Sequence, residues 1–246
     1  MKKYRWQIFL GLALMTASAF FYGMHYLIFK DSHHIWIYLV GDIAFVPIEV
    51  LLVTLILHEL LAKREKAAKM NKLNMVIGTF FSEVGTELLD IVSETDPKSG
   101  KLTEALEVDG HWTDGDFKIA RAKLAKHDYK ADIGRGQLGS LCVFMVARRE
   151  FMVSLLGNPL LLEHDKFTDC LWAVFHLVEE LSGRKDFTKI CDNDLEHIRG
   201  DINRAYQRST RQWIDYMHHL KKGYPYLFSL AMRTNPFNPH SEIQVA

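Results

Sequence analysis

The feature that most constrains this chain is an apolar run, Ile35 to Leu61, that contains residues poorly suited to lipid well inside it. The run reads IWIYLVGDIAFVPIEVLLVTLILHELL and is long enough to cross a bilayer as a helix. Asp42, Pro47 and Glu49 lie inside it. A carboxylate in hydrocarbon is costly unless it is paired, hydrated or protonated, so these positions are candidates for a functional site.

A second apolar run, from Trp6 to Phe29, precedes it and carries no charge apart from the ionisable His25. The linker between the runs covers only about residues 30–34, so two spans are predicted to form a hairpin. Counted from the turn at helical rise, His25 and Asp42 lie at similar depth and are predicted to pair. Glu49 lies near mid-bilayer beside Pro47, where the missing backbone hydrogen bond predicts a kink.

A cleaved signal peptide is the competing interpretation of the first run. Lys2, Lys3 and Arg5 give it a basic start, and residues 17–19 (Ala-Ser-Ala) offer a cleavage site. The apolar run continues well past that site, which favours an uncleaved anchor.

Basic residues also follow the second run, at Lys63, Arg64, Lys66, Lys69 and Lys72. Because Lys and Arg concentrate in cytoplasmic segments, we expect both termini in the cytoplasm and a short external turn. The protein is then a two-span protein of the inner, cytoplasmic membrane, and this basic segment contacts lipid headgroups.

Beyond the second run, Met70, Ile77, Val84 and Ile91 recur every seven residues. The repeat predicts a helix continuous with the second span and reaching about Glu94. It is typical of a coiled coil or a bundle, so self-association and packing against the chain's own helices both remain open.

The predicted fold is all-α, with a transmembrane hairpin followed by a cytosolic helical bundle. The domains are predicted to be the hairpin over 1–62 (spans at about 6–29 and 35–61), a coiled-coil-like helix over 63–96, a helical domain over 97–234, and a loose tail over 235–246. Thr113 and Asp116 form a capping box that opens a helix reaching about Lys126. Further helices are predicted at about 137–156, 163–182 and 193–222, with a short last helix after Pro225.

His176 and Glu180 are four residues apart on the outer face of the predicted helix 163–182, where they are weak candidates for a metal site. A solvated polar face explains them equally well, and no second His-rich helix shows a diagnostic spacing, so no metal is expected. The next helix has an apolar face and an opposite face that we assign to solvent with local ion pairs. That solvent face comprises His197, Asp201, Arg204, Arg208, Arg211 and Asp215.

Composition and motifs exclude several functions. The chain holds 30 basic and 30 acidic residues, which argues against nucleic acid as a partner. The G-x-G-x-x-G match at residues 134–139 lacks a preceding strand, so it is interpreted as a turn leading into a helix, and no cofactor is expected. The three cysteines lie in apolar helical patterns and predict reduced thiols rather than disulfides: Cys142, Cys170 and Cys191.

Two stretches resemble a known group of proteins. NKLNMVIGTFFSEVGTELL, at residues 71–89, and YPYLFSLAMRTNPF, at residues 224–237, are similar to stretches in uncharacterised two-span bacterial membrane proteins. The resemblance implies the topology and implies no activity.

Three functions are consistent with these features. No nucleophile elbow, P-loop, HExxH or kinase signature is present in the sequence, which favours a non-enzymatic, membrane-anchored scaffold protein with a surface for homo-oligomers. The alternative is an oligomeric cation or proton pore lined by Asp42 and Glu49 and gated at Pro47. The third is a membrane-bound, metal-dependent enzyme that uses His176.

Overall fold

A computed structural model of the chain describes residues 2–244, without the side chains of residues 2–5, 162 and 163. The basic side chains Lys2, Lys3 and Arg5 therefore lie outside the described part, as do Met1 and the last two residues of the predicted tail. Within residues 2–244 the backbone forms helices and no strand, which confirms the all-α prediction.

The α-helices of the described residues are α1 (Lys2–Phe29), α2 (Ser32–Phe80), α3 (Thr86–Ser93), α4 (Ser99–Leu106), α5 (Asp114–Lys126), α6 (Arg135–Ala147), α7 (Arg149–Leu156), α8 (Asp165–Ser182), α9 (Asp192–Gly223) and α10 (Pro225–Arg233). A π-helical segment, Phe81–Gly85, joins α2 to α3. The chain divides into two compact units, Met1–Glu65 and Lys66–Ala246, so α2 contributes residues to both.

The first unit consists of α1, a short turn and the first part of α2. Lys30 closes α1 in the left-handed conformation at φ 50°, and its N–H donates to the Tyr26 carbonyl oxygen at 2.8 Å. Asp31 Oδ1 accepts hydrogen bonds from the backbone N–H groups of His33 and His34 at 3.0 and 3.2 Å. These bonds satisfy groups that two helix ends leave unpaired, so the chain reverses within a few residues.

The second unit is built around α9, whose predicted apolar face is buried as expected. That face comprises Leu195, Ile198, Ile202, Tyr206, Trp213, Met217 and Leu220. The main contact of α9 is with α8, whose apolar face is also buried apart from the half-buried Phe175, and α3, α5 and α10 pack against α9 as well. Because each buried large apolar side chain contributes about 1.5–3 kcal/mol, the contact between α8 and α9 is the principal stabilising one.

The heptad seam of α2 and α3 packs against this same core. Ile77 and Val84 are fully buried, and Met70 and Ile91 pack against the core while partly exposed. The sequence left open whether the seam self-associates or packs against the chain's own helices. These residues pack against the chain's own helices.

The π-helical segment Phe81–Gly85 lies within the heptad repeat. An extra residue per turn places Phe80 and Phe81 side by side in the core, with ring centroids 5.1 Å apart. A Cβ atom at Gly85 would lie 2.6 Å from Phe81 Cδ1 and 2.8 Å from Phe80 Cε1. The close approach of both rings thus requires glycine at this position.

Two predicted helix starts are confirmed. Thr113 and Asp116 form a reciprocal capping box at the start of α5. Gly134 N–H donates to Gln137 Oε1 at 2.9 Å at the start of α6. The glycine-rich residues 134–139 therefore begin a helix, and the described residues before them form no strand.

The prediction of a single helix from Gln137 to Leu156 is wrong, because the chain forms two helices there. Arg148 separates α6 from α7 with φ −105° and ψ 6°, outside the helical region. Its guanidinium donates to the Glu83 carbonyl oxygen at 2.5 Å and to Glu87 Oε2 at 3.1 Å. These contacts with the π-helical segment and α3 hold Arg148 in a position that a continuous helix does not provide.

The first residues of the predicted loose tail are buried. Asn235 Nδ2 donates to the Leu106 carbonyl oxygen at 2.8 Å, and the Phe237 ring meets Trp213 edge-on at 5.3 Å. An amide and an aromatic ring dock this segment on the helical core, which sequence composition did not reveal.

Candidate metal centre

The α8 helix places His176 and Glu180 on one face, as their spacing predicts. His176 Nε2 lies 3.8 Å from Glu180 Oε1, and the imidazole is half exposed. One turn of helix separates the two residues, so a single rigid element sets their relative positions.

The α9 helix adds two further residues with the same spacing, His197 and Asp201. His197 Nε2 lies 3.6 Å from Glu180 Oε2 and 3.5 Å from Asp201 Oδ2. His176 Nε2 lies 3.4 Å from the same Asp201 oxygen. Two imidazoles and two carboxylates therefore meet across the α8–α9 contact, and we call these four residues the HEHD cluster.

Asp201 is the residue that the sequence placed wrongly. It was assigned to a solvated face, but only 2% of its surface is exposed. Its Oδ1 accepts a hydrogen bond from Arg204 Nη1 at 2.6 Å, whereas its buried Oδ2 accepts none. Close packing of α8 on α9 buries this position, and a helical pattern read on α9 alone does not contain that information.

Two arginines set the electrostatics around the cluster. Arg184 Nη1 donates to Glu180 Oε2 at 2.8 Å and holds the pKa of Glu180 below its usual range, so that carboxylate is ionised at neutral pH. The same guanidinium binds both oxygens of Asp194 at 2.5 and 2.9 Å and lowers the pKa of Asp194 as well. Arg204 Nη1 donates a single hydrogen bond to Asp201 Oδ1 at 2.6 Å.

The cluster offers three donors that one metal ion can share. The ligand atoms of His176, Glu180 and Asp201 all lie within 4.8 Å of one another. His197 contacts both carboxylates from α9. Imidazole nitrogen and carboxylate oxygen are donors used by zinc and similar transition metals.

The predicted intramembrane residues are not brought together. Asp42 and Glu49 are exposed on α2, and neither has a hydrogen-bond or ion-pair partner among the described residues. The expected His25–Asp42 pair is not formed. His25 Nδ1 is buried without a hydrogen-bond partner, and the imidazole packs against the Phe29 ring with the ring centroids 4.8 Å apart. Pro47 lies inside α2, which continues on both sides of it.

The predicted headgroup-contact residues lie along α2. Lys63 Nζ lies 2.7 Å from Glu59 Oε1, one turn earlier, and both side chains are exposed. The other members of this segment are exposed except for the half-buried Lys69: Arg64, Lys66, Lys69 and Lys72.

Comparison with known proteins identifies the family. The family described as "Uncharacterized protein MJ1433, C-terminal helical domain" matches residues 69–233, and its N-terminal helical domain matches residues 2–61. The chain belongs to the MJ1433 family. A relative named "Uncharacterized protein MJ1433", from Methanocaldococcus jannaschii, is 41% identical over 239 residues, which cover 97% of this chain and 96% of the relative. No solved structure gave a significant match.

The MJ1433 family supports part of the resemblance noted in the sequence. Its members matched here are uncharacterised helical proteins, as expected, and their descriptions contain no activity, bacterial grouping or membrane assignment. All four residues of the HEHD cluster lie within the region matched by the C-terminal helical domain of the MJ1433 family.

Half of this site is apparent from the sequence. His176 and Glu180 were named from their spacing, and His197 and Asp201 have the same four-residue spacing on the following helix. That repeated spacing is the signal that finds the second pair. Its importance depends on α8 and α9 packing side by side, which only the tertiary structure supplies.

Proposed function

We propose that this member of the MJ1433 family is an integral membrane protein with two spans that presents a non-enzymatic helical interaction domain to the cytoplasm. The proposal is carried by one observation: none of the residues in the most apolar windows of α1 and α2 is buried. A core helix of a soluble protein would bury such a window against its own chain.

The cost of exposing the apolar side chains of α1 and α2 to water favours a bilayer around them. Each exposed large apolar side chain costs about 1.5–3 kcal/mol in water relative to an apolar environment. Phe9, Leu27 and Leu61 are more than 60% exposed, and most other large apolar side chains of the two runs are more than half exposed. At about 1.5 Å per residue, the Trp6–Phe29 segment is about 36 Å long and matches a hydrocarbon core of about 30 Å.

Charge supports the orientation. The basic segment beginning at Lys63 follows the second apolar run, and basic segments remain on the cytoplasmic side. The turn at Asp31 is then outside, and both termini and the helical domain are inside. Anionic headgroups at the inner surface attract the same basic segment.

Cysteine labelling tests this arrangement in intact cells. Cys191 is an exposed free thiol in the helical domain, and His33 is exposed at the start of α2. The double variant Cys191→Ser, His33→Cys should react with a membrane-impermeant maleimide in intact cells. The parent should react only after permeabilisation, and Cys191→Ser alone is the matched control. Labelling of the parent from outside, or release of the protein by alkaline carbonate, would reject the proposal.

The mass of the membrane-bound form separates an anchor from a signal peptide. An uncleaved first span predicts the full mass of the chain. A form shortened at residues 17–19 would show that the first apolar run is removed, and the two-span proposal would then be wrong.

A second candidate function is an oligomeric cation or proton pore. It is favoured by the exposure of Asp42 and Glu49 on α2, without partners among the described residues. In a bilayer, two unpaired carboxylates require water, protonation or residues of another copy. Rings of carboxylates around a symmetry axis select cations, and Pro47 lies between the two rings.

A further inference from the structure

We propose that the HEHD cluster is a binding site for one divalent transition-metal ion of the zinc class, held by His176, Glu180 and Asp201 with His197 beside them. This inference concerns the helical domain and is independent of whether the first unit crosses a membrane.

The spacing of the donor atoms is suited to a metal ion. Three imidazole-to-carboxylate distances reach the inner oxygens: 3.4 Å from His176 Nε2 to Asp201 Oδ2, 3.5 Å from His197 Nε2 to Asp201 Oδ2, and 3.8 Å from His176 Nε2 to Glu180 Oε1. They are longer than the 2.7–3.2 Å typical of N–H···O hydrogen bonds. Four ligands arranged tetrahedrally at about 2.0–2.2 Å from a zinc ion lie about 3.3–3.6 Å from one another. The observed spacings fit the edges of a coordination polyhedron better than they fit a hydrogen-bonded network.

Asp201 has a buried oxygen, Oδ2, without a hydrogen-bond donor. Its side chain is only 3% exposed, and Oδ2 accepts no hydrogen bond although it is directed at both imidazoles. A buried carboxylate oxygen without a donor is unfavourable, because it has lost its water and gained no partner. A cation at this point supplies the missing partner.

The two oxygens of each carboxylate have different partners. Glu180 gives Oε2 to Arg184, and Asp201 gives Oδ1 to Arg204. Each carboxylate thereby keeps one oxygen, Oε1 or Oδ2, for the centre of the cluster. Outer groups that fix the orientation of a ligand in this way are typical of protein metal sites.

The donor set indicates the class of ion. An imidazole nitrogen with two carboxylate oxygens, and a second imidazole beside them, suits zinc and also cobalt and nickel. Calcium takes six to eight oxygen ligands and magnesium an octahedron of oxygens, so neither matches the cluster. The half-exposed His176 and His197 leave a path for the ion from solvent.

The experiment uses the full chain in detergent after treatment with a chelator. Calorimetry should show one Zn²⁺ bound per chain, and Co²⁺ should give the intense visible absorption of a four-coordinate ion. His176→Gln and His197→Gln change exposed residues, and Asp201→Asn changes the buried one. Each should weaken Zn²⁺ binding by at least about tenfold.

Matched controls lie on the same helix and elsewhere in the domain. Asp169 is an exposed aspartate of α8 that pairs with Arg208 outside the cluster, and His240 is an exposed histidine near the C-terminus. Asp169→Asn and His240→Gln should bind Zn²⁺ like the parent. Circular dichroism without metal shows whether each variant is folded, and the two His→Gln variants keep the test decisive if Asp201→Asn fails to fold.

Two results would overturn the proposal. One is absence of Zn²⁺ and Co²⁺ binding by the folded parent, which would leave the cluster as a group of histidine–carboxylate ion pairs. The other is binding that the cluster variants and the control variants retain equally, which would place the metal elsewhere in the chain.

Discussion

Asp201 Oδ2 lies 3.4 Å from His176 Nε2, and this contact joins α9 to α8 at a carboxylate that is almost fully buried. Neither helix alone constitutes the site. The central packing contact of the domain is therefore also the place where its titratable groups converge.

The arginine beside this contact should contribute measurably to stability. Arg184 is mostly buried and binds both Glu180 and Asp194, linking the end of α8 to the start of α9. Arg184→Met should lower the free energy of unfolding by about 1–3 kcal/mol, since hydrogen bonds to charged groups are lost. Chemical unfolding of the full chain in detergent followed by circular dichroism measures the change. Arg149→Met removes an exposed pair with Glu179 and should cost clearly less than Arg184→Met. Equal costs for both variants would contradict this interpretation.

Glycine at the π-helical segment should be irreplaceable. Gly85→Ala should destabilise the second unit by about 1–3 kcal/mol, because the added methyl group collides with the Phe80 and Phe81 rings. Gly200 is the matched control, because it is an exposed glycine inside α9 with open space around it. Gly200→Ala should instead stabilise the protein by about 0.5–1 kcal/mol. Thermal unfolding of both variants provides the comparison, and a stabilised Gly85→Ala would show that the rings do not constrain this position.

The capping box of α5 should make stability depend on pH. Thr113→Ala should cost about 1 kcal/mol, whereas Thr79→Ala, at an exposed residue inside α2, should cost little. Hydrogen bonds from the Thr113 backbone and hydroxyl lower the pKa of Asp116 below its unfolded value of 3.8. The stabilisation by ionised Asp116 is therefore present above the unfolded pKa and is lost as pH falls through the folded pKa. The difference in Tm between the parent and Asp116→Asn should shrink on acidification below that value, and a constant difference would argue against ionisation as the cause.

Burial of His219 should oppose its protonation. Asn74 Nδ2 lies 3.1 Å from His219 Nδ1, which assigns Nδ1 as the acceptor, and burial lowers the pKa of His219 below 6.5. The unfolded chain then binds a proton at higher pH than the folded chain. Stability should fall as pH decreases from the unfolded pKa to the folded pKa and should remain lower beneath it. Unfolding of the parent and of His219→Gln over this range measures the effect, and parallel curves for the two proteins would rule it out.

The pore alternative makes a prediction about assembly and flux. Light scattering in detergent should show an oligomer, and liposomes containing the protein should conduct cations or protons. Asp42→Asn and Glu49→Gln should reduce this flux, since they remove charge without changing size. Glu59→Gln, at an exposed residue paired with Lys63 near the end of the apolar run, is the control. A strictly monomeric protein, or unchanged flux in both variants, would exclude a pore lined by these carboxylates.

Much of the secondary structure was predictable from local chemistry. The start of α5 follows from Thr113 and Asp116, the start of α10 from Pro225, and the buried face of α9 from its helical periodicity. These signals act within one or two turns of helix, so a single segment contains them. The break at Arg148 could not be predicted in this way, because its guanidinium binds Glu83 and Glu87, more than sixty positions earlier in the chain.

By itself, the sequence determined that the chain is helical, where its long apolar segments lie, and that His176 and Glu180 share a helix face. Only the tertiary structure decided that Asp201 is buried against that face and that His197 completes the cluster. The physical reason is that periodicity records which residues of a helix share a side, whereas burial of a polar side depends on which other helix packs there. For α8 and α9, that packing turns two ordinary four-residue spacings into one site.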